Sequence, residues 1–232
     1  MLVLSHRGLT DDARENTMAA FAAAVADGVD GIETDVRLSS DGVPVLVHDP
    51  KIGRRKVASM TRAEISKALG HHVPSLAEAL AAFDVLWDVE IKSKDAVDAT
   101  LRVLAEFAGT RRFFVTSFRL DVVRRVVRET DFSCGRIIER APVGVHRVPG
   151  DVVVWRFPLA LRRRMRRAHA RGQKIFLYGP LTRRQHERCV AAGADGIITD
   201  LPELARRAAC LPPSPPRGAG PRPRPSGRRA RP

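Results

Sequence analysis

Up to about Ala209 the chain alternates short apolar runs with stretches of helical period. Leu2-Val3-Leu4 predicts a strand ending in Ser5-His6-Arg7-Gly8. Glu15-Asn16-Thr17 then caps a helix over Met18 to Asp27, with Phe21 and Val25 inward and Gly28 as its stop. Gly31-Ile32-Glu33-Thr34-Asp35-Val36-Arg37 alternates strictly and predicts a second strand. Ser39-Ser40-Asp41-Gly42 has turn chemistry, and Val43 to Val47 returns as a hairpin partner ending at His48-Asp49-Pro50. Lys51 to Pro74 reads as a basic, weakly apolar excursion with a short helix over Thr61 to Leu69. Ser75 caps a helix from Leu76 to Phe83, and Leu86 to Lys92 is again an alternating strand.

The remainder is repetitive. Helices are predicted over Ala96–Phe107, Asp121–Glu129, Leu161–Arg171, Thr182–Ala192 and Leu201–Ala209. Strands are predicted at Phe113–Thr116, Cys134–Ile138, Val152–Trp155, Lys174–Tyr178 and Gly196–Thr199, with an irregular link from Glu139 to Gly150. With the hairpin return set aside, eight strands alternate with helices. That count predicts an α/β fold of the closed (β/α)8 type, a TIM barrel, with a short excursion after the second strand. No Gly-rich dinucleotide fingerprint follows the first strand, which argues against an open doubly wound sheet.

Period two in the second strand puts Glu33, Asp35 and Arg37 on one face and Ile32, Thr34 and Val36 on the other. Paired carboxylates on a buried strand repel each other and lose hydration, so they need a cation, a shared proton or bulk water. A face turned to solvent is the plain alternative. Ser5-His6-Arg7-Gly8, Val47-His48-Asp49 and Asp88-Val89-Glu90-Ile91-Lys92 each add ionisable residues at the end of an apolar run. In a barrel these ends share one mouth. Glu33, Asp35 and Glu90 can hold one hard divalent cation, Mg²⁺ or Ca²⁺, with Mn²⁺ as a further candidate. Arg7 and Lys92 supply fixed positive charge suited to a phosphate, and His6 and His48 can act as general acid and base. Glu90 and Lys92 as a plain ion pair, and a solvated Lys92, are the bland readings of those two. The set together describes metal-assisted cleavage of a phosphodiester.

Composition narrows the class further. The chain has 232 residues, 44% of them hydrophobic, and no apolar run long enough to span a bilayer. The N-terminus lacks the features of a secretory signal, so a cytoplasmic location is expected. Cys134, Cys189 and Cys210 lack metal-ligand spacing and read as free thiols, Cys134 as a small buried residue at a strand start. The net charge is +14, and Arg217, Arg222, Arg224, Arg228, Arg229 and Arg231 lie in a stretch without acids. Residues 1–210 therefore read as one barrel domain, and 211–232 as a disordered Pro/Arg-rich tail that could weakly touch anionic surfaces. His71, His72, His169 and His186 are expected to be exposed, and His146 is assigned nothing.

These residues carry a family resemblance. His6-Arg7-Gly8, Glu15-Asn16-Thr17, Gly31 to Val36, Asp41-Gly42-Val43-Pro44-Val45 and His48-Asp49 resemble the glycerophosphodiester phosphodiesterase family in order and spacing. Pro74-Ser75-Leu76-Ala77-Glu78, Glu90-Ile91-Lys92, Ser117-Phe118 and Gly193 to Pro202 extend the likeness to about Ala209. The resemblance implies a (β/α)8 barrel, His6 and His48 as the acid/base pair, and Glu33, Asp35 and Glu90 as metal ligands. It implies phosphate contact by Arg7 and Lys92, and cleavage of a small glycerophosphodiester to glycerol 3-phosphate and an alcohol. Departures from the family pattern include Arg14 in place of the usual proline, the stretch after His48-Asp49, and the end of the seventh strand at Tyr178-Gly179-Pro180. They fall on the glycerol and alcohol sides rather than on the metal or the histidines.

Two other readings compete. A lysophospholipase D would use the same chemistry but need an apolar groove, for which the excursion supplies few residues. A basic protein binding anionic polymers without turnover would rely on Leu161–Arg171 and the tail. No stacking platform or nucleic-acid motif supports specific nucleic-acid binding.

Overall fold

The structure is a computed structural model and describes residues 1–140, 148–159 and 162–209. Its strands are β1 (Leu2–His6), β2 (Gly31–Leu38), β3 (Pro44–Leu46), β4 (Lys51–Ile52), β5 (Arg55–Lys56) and β6 (Leu86–Ile91). They continue with β7 (Arg112–Ser117), β8 (Cys134–Ile138), β9 (Val152–Arg156), β10 (Lys174–Tyr178) and β11 (Gly196–Thr199). The helices are α1 (Met18–Asp27), α2 (Arg62–Leu69), α3 (Leu76–Ala82), α4 (Val97–Phe107), α5 (Leu120–Glu129), α6 (Arg162–His169), α7 (Arg183–Ala192) and α8 (Pro202–Ala208). Elements expected from the residue pattern recur here with ends moved by a residue or two, and the short β4–β5 hairpin is added in the excursion. The tail from residue 211, Cys210 and His146 lie outside the described residues.

Parallel pairing runs β1-β2-β6-β7-β8-β9-β10-β11 and returns to β1, so the eight strands close. Strand β3 adds antiparallel to β2 as the hairpin return, Val36 opposite Leu46. The fold is the expected TIM barrel.

Alternation sorts side chains into an outer and an inner core. Outward residues such as Ile32, Val36, Trp87 and Val89 pack beneath α1, α3, α4 and α5, with Phe21 edge-on to Trp87 at 5.3 Å. Val153, Trp155, Ile175 and Ile197 do the same beneath α6–α8. Inside, Leu4, Phe114, Ile137, Val154, Phe176 and Ile198 form an apolar plug, with Phe114 and Phe176 stacked at 4.9 Å. The inward residues of β2 and β6 are instead Glu33, Asp35, Asp88 and Glu90, all buried. The barrel interior is thus apolar on one side and acidic on the other.

The excursion after β2 is better built than its composition suggests. The β4–β5 hairpin, one 3-10 turn at Val57–Ser59 and α2 enclose a small core of Val45, Val47, Val57, Met60, Ile65 and Val73. Thr61 with Glu64 and Ser75 with Glu78 form reciprocal capping boxes that start α2 and α3. Arg14 donates to the Leu69 carbonyl at 2.7 Å and ties the loop before α1 to the end of α2.

Candidate active site

Register fixes the site. His6 lies beside Glu33 across β1–β2, and Glu33 and Asp35 lie beside Asp88 and Glu90 across β2–β6. Arg7 and Lys92 each follow a strand end by one residue, and His48 follows the hairpin return. All seven residues expected from sequence therefore meet at one end of the barrel, Asp35 through its contacts with Arg7 and Lys92 and the other six around the same mouth. A cavity of about 420 Å³ opens there, lined on one side by His6, Arg7, Glu33, His48, Glu90 and Lys92.

Glu33, Asp35 and Glu90 each offer a carboxylate oxygen within 4.8 Å of the other two. Three buried carboxylates at that spacing cannot all ionise freely. Burial, with the charges of Asp35 and Glu90, pushes the Glu33 carboxyl well above its ordinary value. Burial raises Glu90 against the opposing pull of Lys92. Burial works the same way on Asp35, but Lys92 and Arg7 outweigh it and hold that carboxyl below the ordinary range. Asp35 Oδ1 is fully buried without an aligned hydrogen bond, although Lys92 Nζ stands 3.1 Å away. An acidic, oxygen-only donor set with an unsatisfied buried oxygen fits a hard divalent cation.

The two cations do more than face a substrate. Lys92 Nζ also lies 2.8 Å from Glu90 Oε1, so it bridges two of the three carboxylates. Arg7 Nε is 2.9 Å from Asp35 Oδ2, and its Nη1 donates to Glu15 at 2.9 Å. Arg7 adopts φ 59°, and the next residue, Gly8, has φ 85°. A Cβ on Gly8 would stand 2.7 Å from the backbone of Ala20 in α1, so only glycine lets the strand end turn this tightly.

Asn16, read from sequence only as part of a helix cap, supports Asp35 directly. Its Nδ2 donates to Asp35 Oδ2 at 2.9 Å, and its Oδ1 accepts from Thr34 Oγ1 at 2.7 Å and from Asp35 N at 3.3 Å. Thr17 is the residue that caps α1, its hydroxyl accepting from Ala20 N.

Both histidines are held at Nδ1 by a carboxylate. His6 Nδ1 is 2.8 Å from Asp200 Oδ1, and His48 Nδ1 is 2.9 Å from Asp49 Oδ1. His6 Nε2 faces Glu33 Oε2 at 3.8 Å. Arg37 holds the His48 carbonyl through two guanidinium nitrogens at 2.9 and 2.6 Å. A hydrogen bond from His6 leads the causes that keep Asp200 below the ordinary carboxylate range.

Sequence reading missed four supports: Asn16, Arg37, Asp88 and Asp200. Asp88 shares the period-two face of Glu90, so alternation alone could have found it. It is fully buried and accepts from Thr116 Oγ1 at 2.5 Å, and burial pushes its carboxyl well above the ordinary value. Asp200 is 194 positions from His6 and is visible only once the barrel closes. Two exposures are corrected: His71 is half-buried, and His186 is fully buried rather than exposed. His186 sits on the inner side of α7, where its Nδ1 is 2.8 Å from the Thr182 carbonyl and its Nε2 is 2.9 Å from Thr199 Oγ1. His72 and His169 are exposed as expected.

The far wall of the cavity differs in character. Phe118, Tyr178 and Leu181 form it with an Arg156–Glu139 ion pair at 2.8 Å. Phe118 and Leu181 are 40% and 65% exposed, so the rim on this side is apolar. Lys92 Nζ lies 5.6 Å from the centre of the Phe118 ring.

A mouth of this kind can hold a phosphate ester and stabilise negative charge growing on it, which puts the chain among the barrel phosphodiesterases. Comparison with known proteins narrows that class to one family. The model of the Glycerophosphoryl diester phosphodiesterase family matches residues 6–204, and the chain belongs to it. A glycerophosphodiester phosphodiesterase of Caldanaerobacter subterraneus is 29% identical over 240 residues, spanning 87% of this chain and 95% of the relative. The solved glycerophosphodiester phosphodiesterase of Thermotoga maritima superposes with a TM-score of 0.78 at 24% identity, covering 90% of this chain and 98% of that one. A phosphodiesterase from Oleispira antarctica, solved with its product sn-glycerol-3-phosphate, has a TM-score of 0.81 at 20% identity, covering 90% and 97%. Fold and enzyme class expected from the sequence are thereby borne out. Among the described residues no helix is long and apolar enough to cross a membrane.

Proposed function

We propose that this protein hydrolyses a small glycerophosphodiester to glycerol 3-phosphate and an alcohol, with His6 and His48 as general acid and base. The observation that carries this is the meeting of an acidic triad and two Nδ1-anchored histidines at one cavity. Glu33, Asp35 and Glu90 would hold one divalent cation, Mg²⁺, Ca²⁺ or Mn²⁺. When bound, such an ion supplies Lewis-acid stabilisation of negative charge on the phosphate oxygens.

The chain's own groups do the rest. Arg7 and Lys92 are the positive groups nearest the triad and orient the phosphate while neutralising part of its charge. A carboxylate only accepts, so Asp200 and Asp49 keep a proton on Nδ1 of each histidine and leave Nε2 to exchange protons. One imidazole takes the proton from the glycerol 2-hydroxyl as its oxygen bonds to phosphorus, and water later opens the cyclic phosphate so formed to glycerol 3-phosphate. The other gives a proton to the alcohol oxygen as the old P–O bond breaks. The glycerol moiety lies on the carboxylate side in this reading, and the alcohol faces Phe118, Tyr178 and Leu181.

The test is release of glycerol 3-phosphate from glycerophosphodiesters with different alcohols, each with Mg²⁺, Ca²⁺, Mn²⁺ or chelator. Metal-dependent release supports the proposal. Turnover restricted to acylated substrates would favour the lysophospholipase D reading, which the apolar rim of Phe118 and Leu181 keeps in view. Salt-sensitive binding of anionic polymers without any turnover would sink both.

A further inference from the structure

Asp200 plays no part in the site as read from sequence, yet the barrel's geometry directs it at His6. Strands β1 and β11 pair in parallel with Leu4 beside Ile198 and Ser5 beside Thr199. Leu4 and Ile198 both point into the apolar plug. Two residues on, the same alternation brings His6 and Asp200 side by side at the mouth. Their 2.8 Å contact is therefore set by the closing register of the barrel and not by two surface side chains meeting by chance.

The residue before Asp200 is anchored from behind. Thr199 is buried and turns outward toward α7. The Thr182 carbonyl can only accept, so His186 carries its proton on Nδ1, and its Nε2 accepts from the Thr199 hydroxyl. The same Thr199 oxygen accepts from Leu201 N at 3.0 Å. Both neighbours of Asp200 are thus tied to one buried hydroxyl. The partner of the other histidine has no such frame: Asp49 is 72% exposed on its side chain, against 52% for Asp200.

We infer that Asp200 is the positioning residue of His6, held by the His186–Thr199 lock so that His6 keeps its proton on Nδ1 and aims Nε2 at the bound phosphate. This deepens the phosphodiesterase reading and rests on it for its kinetic consequence. Asp200→Asn replaces an obligate acceptor with a group that can donate to Nδ1, which favours the wrong tautomer. In a Ser-His-Asp triad the equivalent change costs roughly 10⁴-fold. A more exposed pair should lose less, on the order of 10- to 10³-fold in kcat, with KM nearly unchanged.

The experiment combines kinetics with a tautomer measurement on the full chain. Turnover of a glycerophosphodiester is compared for wild type, Asp200→Asn, Asp200→Glu, His6→Ala and the double variant His6→Ala/Asp200→Asn. The expected pattern is a fall for Asp200→Asn, partial recovery for Asp200→Glu, and no further fall when Asp200→Asn is added to His6→Ala. Equal losses in both backgrounds, or full kcat in Asp200→Asn, would overturn the assignment. Nitrogen-15 NMR of the His6 ring, assigned by loss of its signal in His6→Ala, gives an arm that needs no activity. The Nδ1–H form should dominate in wild type and lose ground in Asp200→Asn; an unchanged ring spectrum would overturn the inference. An inactive wild type that still shows the tautomer change would sink the phosphodiesterase reading alone.

Discussion

Asn16 N–H donates to the Arg7 carbonyl at 2.9 Å, and among the described residues these are the two non-glycines with left-handed backbone, φ 55° and 59°. Such conformations cost of order 1–3 kcal/mol each and persist only where the surroundings enforce them. Here the enforcement is mutual, and it aims Asn16 at Asp35 and Arg7 at Asp35 and Glu15.

Asn16 variants can separate backbone from side chain. Asn16→Gly tolerates the backbone but leaves Thr34 and Asp35 without their partner. Asn16→Ala adds strain to that loss. Both should lower the melting temperature and turnover, the alanine variant more, with a cost of about 1–3 kcal/mol for the unsatisfied groups. Thermal scans and kinetics on the pair check this. A glycine variant as active as wild type would remove Asn16 from the support of Asp35.

The carboxylates should respond in opposite ways. Glu33 is buried beside like charges and its carboxyl is pushed up, so its ionised form weakens the fold at neutral pH. Glu33→Gln should raise the melting temperature of the metal-free protein while weakening metal binding and turnover. Asp35 is held down by Lys92 and Arg7, and Asp35→Asn takes from both cations the carboxylate they share, leaving Lys92 with Glu90 and Arg7 with Glu15. That change should lower the melting temperature, by less than the roughly 3–5 kcal/mol that follows when a buried charge is left with no partner at all. Calorimetric metal titration and melting curves test the two together. Full activity of either variant in excess chelator would refute the metal site.

His6→Ala and His48→Ala should each lower turnover of an alkyl diester by roughly 10²–10⁴-fold while metal affinity survives. A substrate with a good leaving group should depend less on the histidine that protonates the departing oxygen. Comparing the two substrates across both variants identifies the acid. Loss of metal binding in either variant would recast that histidine as a ligand.

His186 should give the fold a pH dependence. Burial outweighs its backbone hydrogen bond and lowers its pKa, so the unfolded chain takes up this proton at a higher pH than the folded one. The contribution is complete above the unfolded value near ~6.5 and is lost as pH falls from there through the lower folded value. The slope in that window is at most about 1.4 kcal/mol per pH unit. His186→Gln should flatten the melting temperature between pH 7 and 5, on the order of two pH units. An identical slope in the variant would show that other groups carry it.

Much of this molecule is legible in one dimension. Alternation and turn chemistry gave the strand order, and the Glu33–Asp35 and Glu90–Lys92 pairs announced the mouth. Asp88 is equally visible on the period-two face of Glu90, but it lies inside β6, deeper than the strand ends where a barrel keeps its chemistry. Asn16 was hidden by its own cap signature, since a helix start explains an asparagine without further cause. His186 stood among arginines on a polar helix, and nothing local reveals that its ring turns toward Thr199. Asp200 needed the β1–β11 register, which exists only in three dimensions. Charge and resemblance point Arg7 and Lys92 at a phosphate, but neither reveals that both also contact Asp35.

The pairing of β1 with β11 also has a temporal side. A nascent chain that has emerged only as far as β6 already contains every proposed metal-binding carboxylate and both histidines. It lacks the strand that closes the cylinder and presents Asp200 to His6. Activity during synthesis should therefore switch on late and abruptly, with the arrival of β11, instead of accumulating in proportion to length.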